Sequence, residues 1–145
     1  MSEWWQWSPI QANQKLGFAV VGIGRFGSAV CRELLRNGAD VLAVDSSEKA
    51  IEELRQLEPT IEARVVDSTD EESMKEAGVL EMGTVVVGIS EPIEASITTT
   101  LIAKDTDGSL VKQVIARATS DLHEKMLKRV GADRVVFPSR MQGER

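Results

Sequence analysis

A short apolar run, Phe18–Val21, passes directly into three glycines, Gly22, Gly24 and Gly27, in the spacing G-x-G-x-x-G. Glycines so placed suit a strand that turns sharply into a helix. The first permits a tight turn, the second lets backbone approach a phosphate, and the third lets helix pack closely on strand. The helix that begins near Arg25 then offers unpaired N–H groups and the positive end of its dipole to an anion. A second apolar run, Val41–Val44, is closed by Asp45, 18 residues after Gly27; roughly twenty is the distance expected for a carboxylate that accepts ribose hydroxyls. The glycines alone are a weak signal. With a strand before, a helix after and an acid ending the next strand, they predict an adenine nucleotide site.

The remaining chain repeats the strand–helix alternation. Runs rich in valine and isoleucine occur at Phe18–Val21, Val41–Val44, Ala63–Val66, Thr84–Gly88, Val111–Ala116 and Arg134–Phe137. They are mostly unbroken by polar residues, as strands covered on both faces are. Helical stretches separate them. Arg25–Asn37 stops at Gly38, and Ser47–Leu57 sets Ile51, Leu54 and Leu57 along one side. Asp70–Ala77 opens on acids and stops at Gly78. Pro92–Lys104 places its proline at N1 and repeats Ile93, Ile97 and Leu101 at i+4. Asp121–Val130, capped by Ser120 or Asp121, presents Leu122, Met126 and Val130. Five β-α units closed by a sixth strand predict an α/β chain, a Rossmann-type doubly wound parallel sheet with helices on both faces.

Composition removes several function classes. A formal net charge of −6 argues against sequence-independent nucleic-acid binding, which depends on neutralising phosphates with Lys and Arg. Cys31 is the sole cysteine and His123 the sole histidine, so neither an intrachain disulfide nor a His–Cys metal cluster is expected. Cys31 falls inside the first helix, where a small buried apolar role is expected. No run reaches the roughly 18 apolar residues of a membrane span, and the N-terminus lacks a basic-then-apolar signal, so the expectation is a soluble cytoplasmic domain. Residues 1–15 form a separate leader with Trp4, Trp5 and Trp7, either a docking tag or a mobile tail. The nucleotide-binding domain is expected over residues 16–138, and residues 139–145 begin a C-terminal extension.

Side chains near the expected cleft can be given roles. Asp45 can accept both hydrogen bonds of a ribose diol and would repel a 2′-phosphate; Ser46 and Ser47 supply no guanidinium to reverse that preference. Unphosphorylated ribose is therefore favoured. Arg25, third in the glycine turn, either grips a distal phosphate or is a solvated charge in the first helical turn. Asp67, Ser68 and Thr69 follow the third strand and either reach an adenine edge or cap the next helix through Ser68 or Thr69. Ile89, Ser90 and Glu91 follow the fourth strand and can border the ribose–phosphate region. Arg117 ends the fifth strand at the same carboxyl edge, or makes a surface ion pair. A catalytic set is harder to find. His123 is expected to be exposed, no tyrosine exists for a Tyr–Lys pair, and no G-x-x-x-x-G-K-[ST] loop is present. Sensing is favoured over chemistry. The alternatives are the cofactor domain of an NAD-dependent oxidoreductase without its catalytic half, and an interaction scaffold with a vestigial pocket.

Gly22-Ile-Gly-Arg-Phe-Gly27, Val41-Leu-Ala-Val-Asp45, Asp67-Ser-Thr69, Thr84-Val-Val-Val-Gly88, Ser96–Leu101, Ile115-Ala-Arg-Ala118 and Gly131-Ala-Asp-Arg-Val-Val-Phe-Pro138 together resemble the N-terminal lobe of RCK domains. These are the nucleotide-binding regulatory domains of KtrA/TrkA-type potassium transport proteins. The resemblance implies a non-enzymatic gating subunit, cytoplasmic and peripheral to the inner face of the cell membrane, beneath a membrane potassium-translocating subunit. It implies a homodimer, and a ring of dimers in the full-length protein. ATP, ADP or NAD(H), with AMP as a further candidate, would bind at Gly22, Gly24, Phe26 and Gly27. By motif position Arg25 would meet distal phosphates, Asp45 the ribose, Asp67 and Thr69 the adenine, and Arg117 the ribose or phosphates, with Ser46 and Ser68 also in the site. The fourth helix, around Pro92–Lys104, and the fifth, around Asp121–Val130, would supply dimer contacts. Family members often carry a glutamate just after the final proline, near a cation; Ser139 stands there, so no metal site is expected. The family's crossover helix and C-terminal ligand lobe are not among these residues, so the resemblance implies either an excised N-lobe or an unusual parent protein.

Overall fold

A computed structural model of the protein describes residues 17–138; the tryptophan leader, Ser139 and the extension lie outside the described residues. The elements are β1 (Phe18–Val21), α1 (Arg25–Arg36), β2 (Val41–Asp45), α2 (Glu48–Leu57), β3 (Glu62–Val65), α3 (Glu71–Ala77), a 3-10 turn at Val79–Glu81, β4 (Thr84–Val87), α4 (Ile93–Asp105), β5 (Gln113–Arg117), α5 (Asp121–Arg129) and β6 (Arg134–Val136). The strands form one parallel sheet ordered β3-β2-β1-β4-β5-β6. Phe18 lies opposite Val41 of β2 on one side and Thr84 of β4 on the other.

Aliphatic strands explain why this sheet is parallel and interior. Every residue of β1 and β4 is buried, which requires helices on both faces. One apolar layer packs Val30, Cys31 and Leu34 of α1 and Ile51 and Leu54 of α2 against Phe18, Val20, Val41, Ala43 and Ile115. The opposite layer packs Met74, Ala103 and Leu127 of α3, α4 and α5 against Ala19, Val21, Val44, Val85 and Val114. Cys31 has the expected buried role, and burial pushes its thiol up to about 12. The connection after β3 returns across the sheet to β4, so the order reverses between β1 and β4. A crevice opens at such a switch point, outside the carboxyl ends of the strands.

Several local expectations are corrected. β3 is an edge strand with Ala63 inward and Glu62, Arg64 and Val65 exposed; Arg64 and Glu62 pair along the strand at 2.8 Å. β5 begins at Gln113, because both Lys112 and Gln113 donate their N–H to Gly83 O and the chain before them is still turning. Helix α3 is capped by Asp70, which accepts from Ser73 N–H at 3.0 Å, not by Ser68 or Thr69. Pro92 stands at the N-cap of α4, one position earlier than expected. The apolar i+4 rows also face outward more than inward. Leu57, Ile93, Leu101, Leu122 and Met126 are exposed, whereas α4 buries Ser96, Thr99, Thr100 and Ala103 and α5 buries His123 and Leu127.

The Gly131-Ala-Asp133 segment has a structural reason for its composition. Asp133 Oδ2 accepts Val114 N–H at 2.7 Å and Lys104 Nζ at 3.0 Å, tying the start of β5 to α4 and the approach to β6. A Cβ on Gly131 would sit 3.1 Å from Lys104 Cγ, so the glycine leaves room for the lysine stem that makes this clamp.

Candidate functional site

An open cleft of about 260 Å³ lies at the switch point, lined by Gly22, Ile23 and Gly24, by Asp45 and Ser46, by Asp67–Thr69, and by Gly88–Pro92 with Ala95. The glycine turn is built as steric necessity dictates. Gly22 has φ +96, and a Cβ there would fall 2.8 Å from Ile89 N. Gly27 is tighter still: its Cβ would be 2.0 Å from Gly22 O, which lets α1 start flush against the turn. Around Gly24 nothing lies within 4 Å of an added Cβ, so its backbone is open to an approaching ligand. Helix α1 has no side-chain cap and no acid in its first turn. By contrast Ser47, Asp70 and Ser120 cap α2, α3 and α5. The uncapped end leaves backbone donors aimed at the cleft, an arrangement suited to an anion.

Asp45 forms the second pole. Its Oδ2 accepts Ile23 N–H at 2.6 Å and its Oδ1 accepts Ser47 N–H at 2.8 Å. The carboxylate therefore fixes the glycine turn as well as lining the cleft. An ionised carboxylate offers about four acceptor sites, so each oxygen keeps capacity for a hydroxyl donor. On the β3 side, Asp67 Oδ1 accepts from Thr69 N–H at 3.0 Å and Thr69 Oγ1 at 2.6 Å. Ser68 turns inward instead, its Oγ 2.8 Å from Thr99 Oγ1 of α4.

The cleft brings together Gly22, Gly24, Asp45, Ser46, Asp67, Ser68, Thr69, Ile89 and Ser90 of the residues expected there. Gly27 acts behind its wall. Arg25 is exposed beside Gly24 and does not line the cleft. Phe26 packs against the core beneath Arg117, whose guanidinium carbon is 5.4 Å from the ring centroid. Such a cation–π contact is worth about 0.5–2 kcal/mol. Arg117 is thus held at the carboxyl edge without lining the cleft. Its Nε is buried with no hydrogen-bond partner, and burial lowers its pKa below the ordinary value. Sequence reasoning missed Gly88, Pro92 and Ala95, while Glu91 lines the cleft as expected. Gly88 had a legible cue, a glycine ending a valine run, and its Cβ would come 2.9 Å from Gly22 O. The others reach the cleft only because α4 starts beside it.

His123 is the largest departure. Expected to be exposed, it has 0% relative exposure. Thr119 N–H donates to its Nδ1 at 3.1 Å, and Nε2 lies 2.7 Å from Ser96 Oγ. A backbone N–H can only donate, so Nδ1 is unprotonated and the proton sits on Nε2. Burial, then the charge of Arg117, hold the imidazole pKa below 6.5. The ring is a neutral structural link with both nitrogens engaged. Between α4 and α5 a larger hollow of about 780 Å³ opens outward, lined by Ile97, Leu122, Lys125, Met126, Lys128, Arg129 and Val130. No group of three or more His, Cys, Asp or Glu side chains suited to a metal occurs among the described residues. No helix among them is long and apolar enough to cross a membrane.

Known proteins share this architecture. The TrkA-N domain family model matches residues 18–138. The chain is 40% identical over 131 residues to the Ktr system potassium uptake protein C of Bacillus subtilis (strain 168), covering 90% of this chain and 57% of that protein. It is 35% identical over 126 residues to the Ktr system potassium uptake protein A of the same organism, covering 87% and 54%. The chain thus spans about half the length of these relatives. Among solved structures, the TrkA-N domain of the inner membrane protein ybaL from Escherichia coli superposes with TM-score 0.75 at 24% identity, covering 88% of this chain and 91% of that one. The GsuK channel bound to NAD gives 0.73 at 19% identity, covering 88% and 22%, and the same channel bound to ADP gives 0.69 at 18%, covering 88% and 32%. These structural likenesses concern the fold. With the family match over nearly all the described residues and the two close sequence relatives, the chain belongs to the TrkA-N family.

Proposed function

We propose that this chain is the nucleotide-sensing part of a non-enzymatic regulator of potassium uptake. One observation carries the reading: an uncapped helix N-terminus and a strand-end carboxylate face the same cleft at the switch point of the sheet. An adenine nucleotide (ATP, ADP, AMP or NAD(H)) would place its phosphates at Gly22–Gly24, its ribose hydroxyls on Asp45 and its base toward Asp67–Thr69. Arg25 and Arg117 would supply positive charge at the rim. The reading is supported by relatives named for potassium uptake and by a channel of the same fold bound to NAD and to ADP. The exposed apolar hollow between α4 and α5 favours a homodimer, and through it a ring in a longer chain that meets a membrane potassium-translocating subunit from the cytoplasmic side. Among the described residues no His, Lys or Tyr lines the cleft, which counts against hydride transfer.

Calorimetry of the chain against ATP, ADP, AMP and NADH tests the site. Binding of at least one with micromolar affinity is expected, and no heat with any of them removes the proposal. Arg25→Ala should weaken ATP about tenfold, which is about 1.4 kcal/mol, while changing AMP much less. Equal losses for both ligands would take the distal-phosphate role away from Arg25.

A further inference from the structure

Helix α4 is seated unlike its neighbours. α1 and α2 face the sheet with Val30, Leu34, Ile51 and Leu54, but α4 buries Ser96, Thr99, Thr100 and Ala103. Small hydroxyl-bearing side chains remove little apolar area from water, so directional hydrogen bonds join the partly buried Ile97 and Ile102 in setting the position of α4. Two of these bonds run to different places. Thr99 Oγ1 meets Ser68 Oγ at 2.8 Å and donates to Ser68 O at 3.2 Å, and Ser68 belongs to the cleft wall. One turn earlier, Ser96 Oγ donates to Ile93 O at 3.0 Å and so accepts from His123 Nε2–H at 2.7 Å. His123 lies on α5 next to Leu122, which lines the outer hollow with Met126 and with Ile97 of α4, while Ala95 of α4 lines the cleft. Thr100 Oγ1, also buried, has no partner in this seat. A buried unpaired hydroxyl is costly, so this seat of α4 carries an unmet hydrogen bond.

We infer that the Ser68–Thr99 and Ser96–His123 hydrogen bonds form a relay by which occupation of the cleft shifts α4 against α5 and reshapes the hollow between them. This deepens the nucleotide reading and rests on it. A ligand moves an equilibrium only by its difference in affinity for the two positions. Contact with the Asp67–Thr69 loop supplies that difference, because the loop's middle residue is bonded to α4. By reciprocity, whatever fills the hollow changes nucleotide affinity by the same factor.

The single histidine of the chain makes the relay observable. With the full chain labelled with 15N-histidine, ADP should shift the Nδ1 and Nε2 resonances in step with binding measured by calorimetry. Thr99→Val removes the hydroxyl at nearly constant shape and is expected to cut that shift by about half or more while leaving ADP affinity within about threefold; Thr99→Ser should restore it. Ser96→Ala provides a second break, placed after the first in the chain of bonds. ADP that binds without moving the His123 resonances overturns the relay alone. So does a shift that Thr99→Val and Ser96→Ala both leave intact. No binding of ATP, ADP, AMP or NADH by the unsubstituted chain removes the nucleotide reading and the relay together.

Discussion

Gly27→Ala is expected to destabilise the domain by about 2–3 kcal/mol, whereas Gly24→Ala leaves its stability within about 0.5 kcal/mol. Both glycines belong to one motif, and helix propensity alone would predict the reverse at Gly27. That residue lies inside α1, where alanine in place of glycine ordinarily gains up to about 1 kcal/mol. Sterics override propensity there, because the new Cβ would sit 2.0 Å from the carbonyl oxygen of Gly22. Backbone must move, and the turn that holds Ile23 N–H on Asp45 moves with it. At Gly24, φ is −97 and no atom lies within 4 Å of an added Cβ, so alanine fits the empty protein. It then occupies the space a phosphate would use, and ADP should weaken about tenfold. Urea unfolding and calorimetry on the two variants separate the roles. Equal stabilities would mean that α1 does not start flush against the turn, and undiminished ADP binding by Gly24→Ala would move the phosphates elsewhere.

These glycines were legible because their task is local. A tight turn, an open backbone and a helix packed on its own preceding strand all lie within a few residues, so spacing carries the information. The valine runs were legible for a related reason: strands buried on both faces need no alternation. What failed was non-local. Periodicity in α4 and α5 marked an apolar face without saying which side faces the sheet, and it lies outward. The true inner face of α4 is written in hydroxyls, and two of them, Ser96 and Thr99, meet side-chain partners 27 and 31 residues away. No window along the chain contains both members of such a pair. Ala63–Val66 reads as a covered strand, yet β3 buries only Ala63 because it is an edge, and edge position depends on strand order. Arg117 has the same character. Its place at the carboxyl edge followed from topology, but its perch on Phe26 depends on a side chain from the first crossover. That the cleft has a wall from Gly88 to Ala95 likewise follows only once β4 is known to lie beside β1.

His123→Ala should cost about 3 kcal/mol, since it leaves a cavity between α4 and α5 and strips Ser96 Oγ and Thr119 N–H of their partner. The same contacts give the unsubstituted domain an acid-sensitive stability. The folded pKa of His123 lies below 6.5, and the unfolded chain titrates at about 6.5. Above that pH neither state takes up the proton, and the full contribution of the neutral ring is present. As pH falls below it the unfolded chain gains a proton that the fold resists, so stability declines by up to about 1.4 kcal/mol per pH unit. The decline ends once pH passes the folded value. Asp70, whose carboxyl is held below 3.8 by its hydrogen bonds to Ser73, loses its contribution only in stronger acid, so the window from about pH 6.5 to 5 belongs to the imidazole. Protonation there would set an Nδ1–H against the Thr119 N–H and add a charge near Arg117. Urea unfolding across this range should show the decline in the unsubstituted chain and a flat profile in His123→Gln, whose amide can donate to Ser96 but does not titrate. A flat profile in both would mean that the ring is protonated in the fold as readily as outside it, and the neutral link between α4 and α5 would be lost with it.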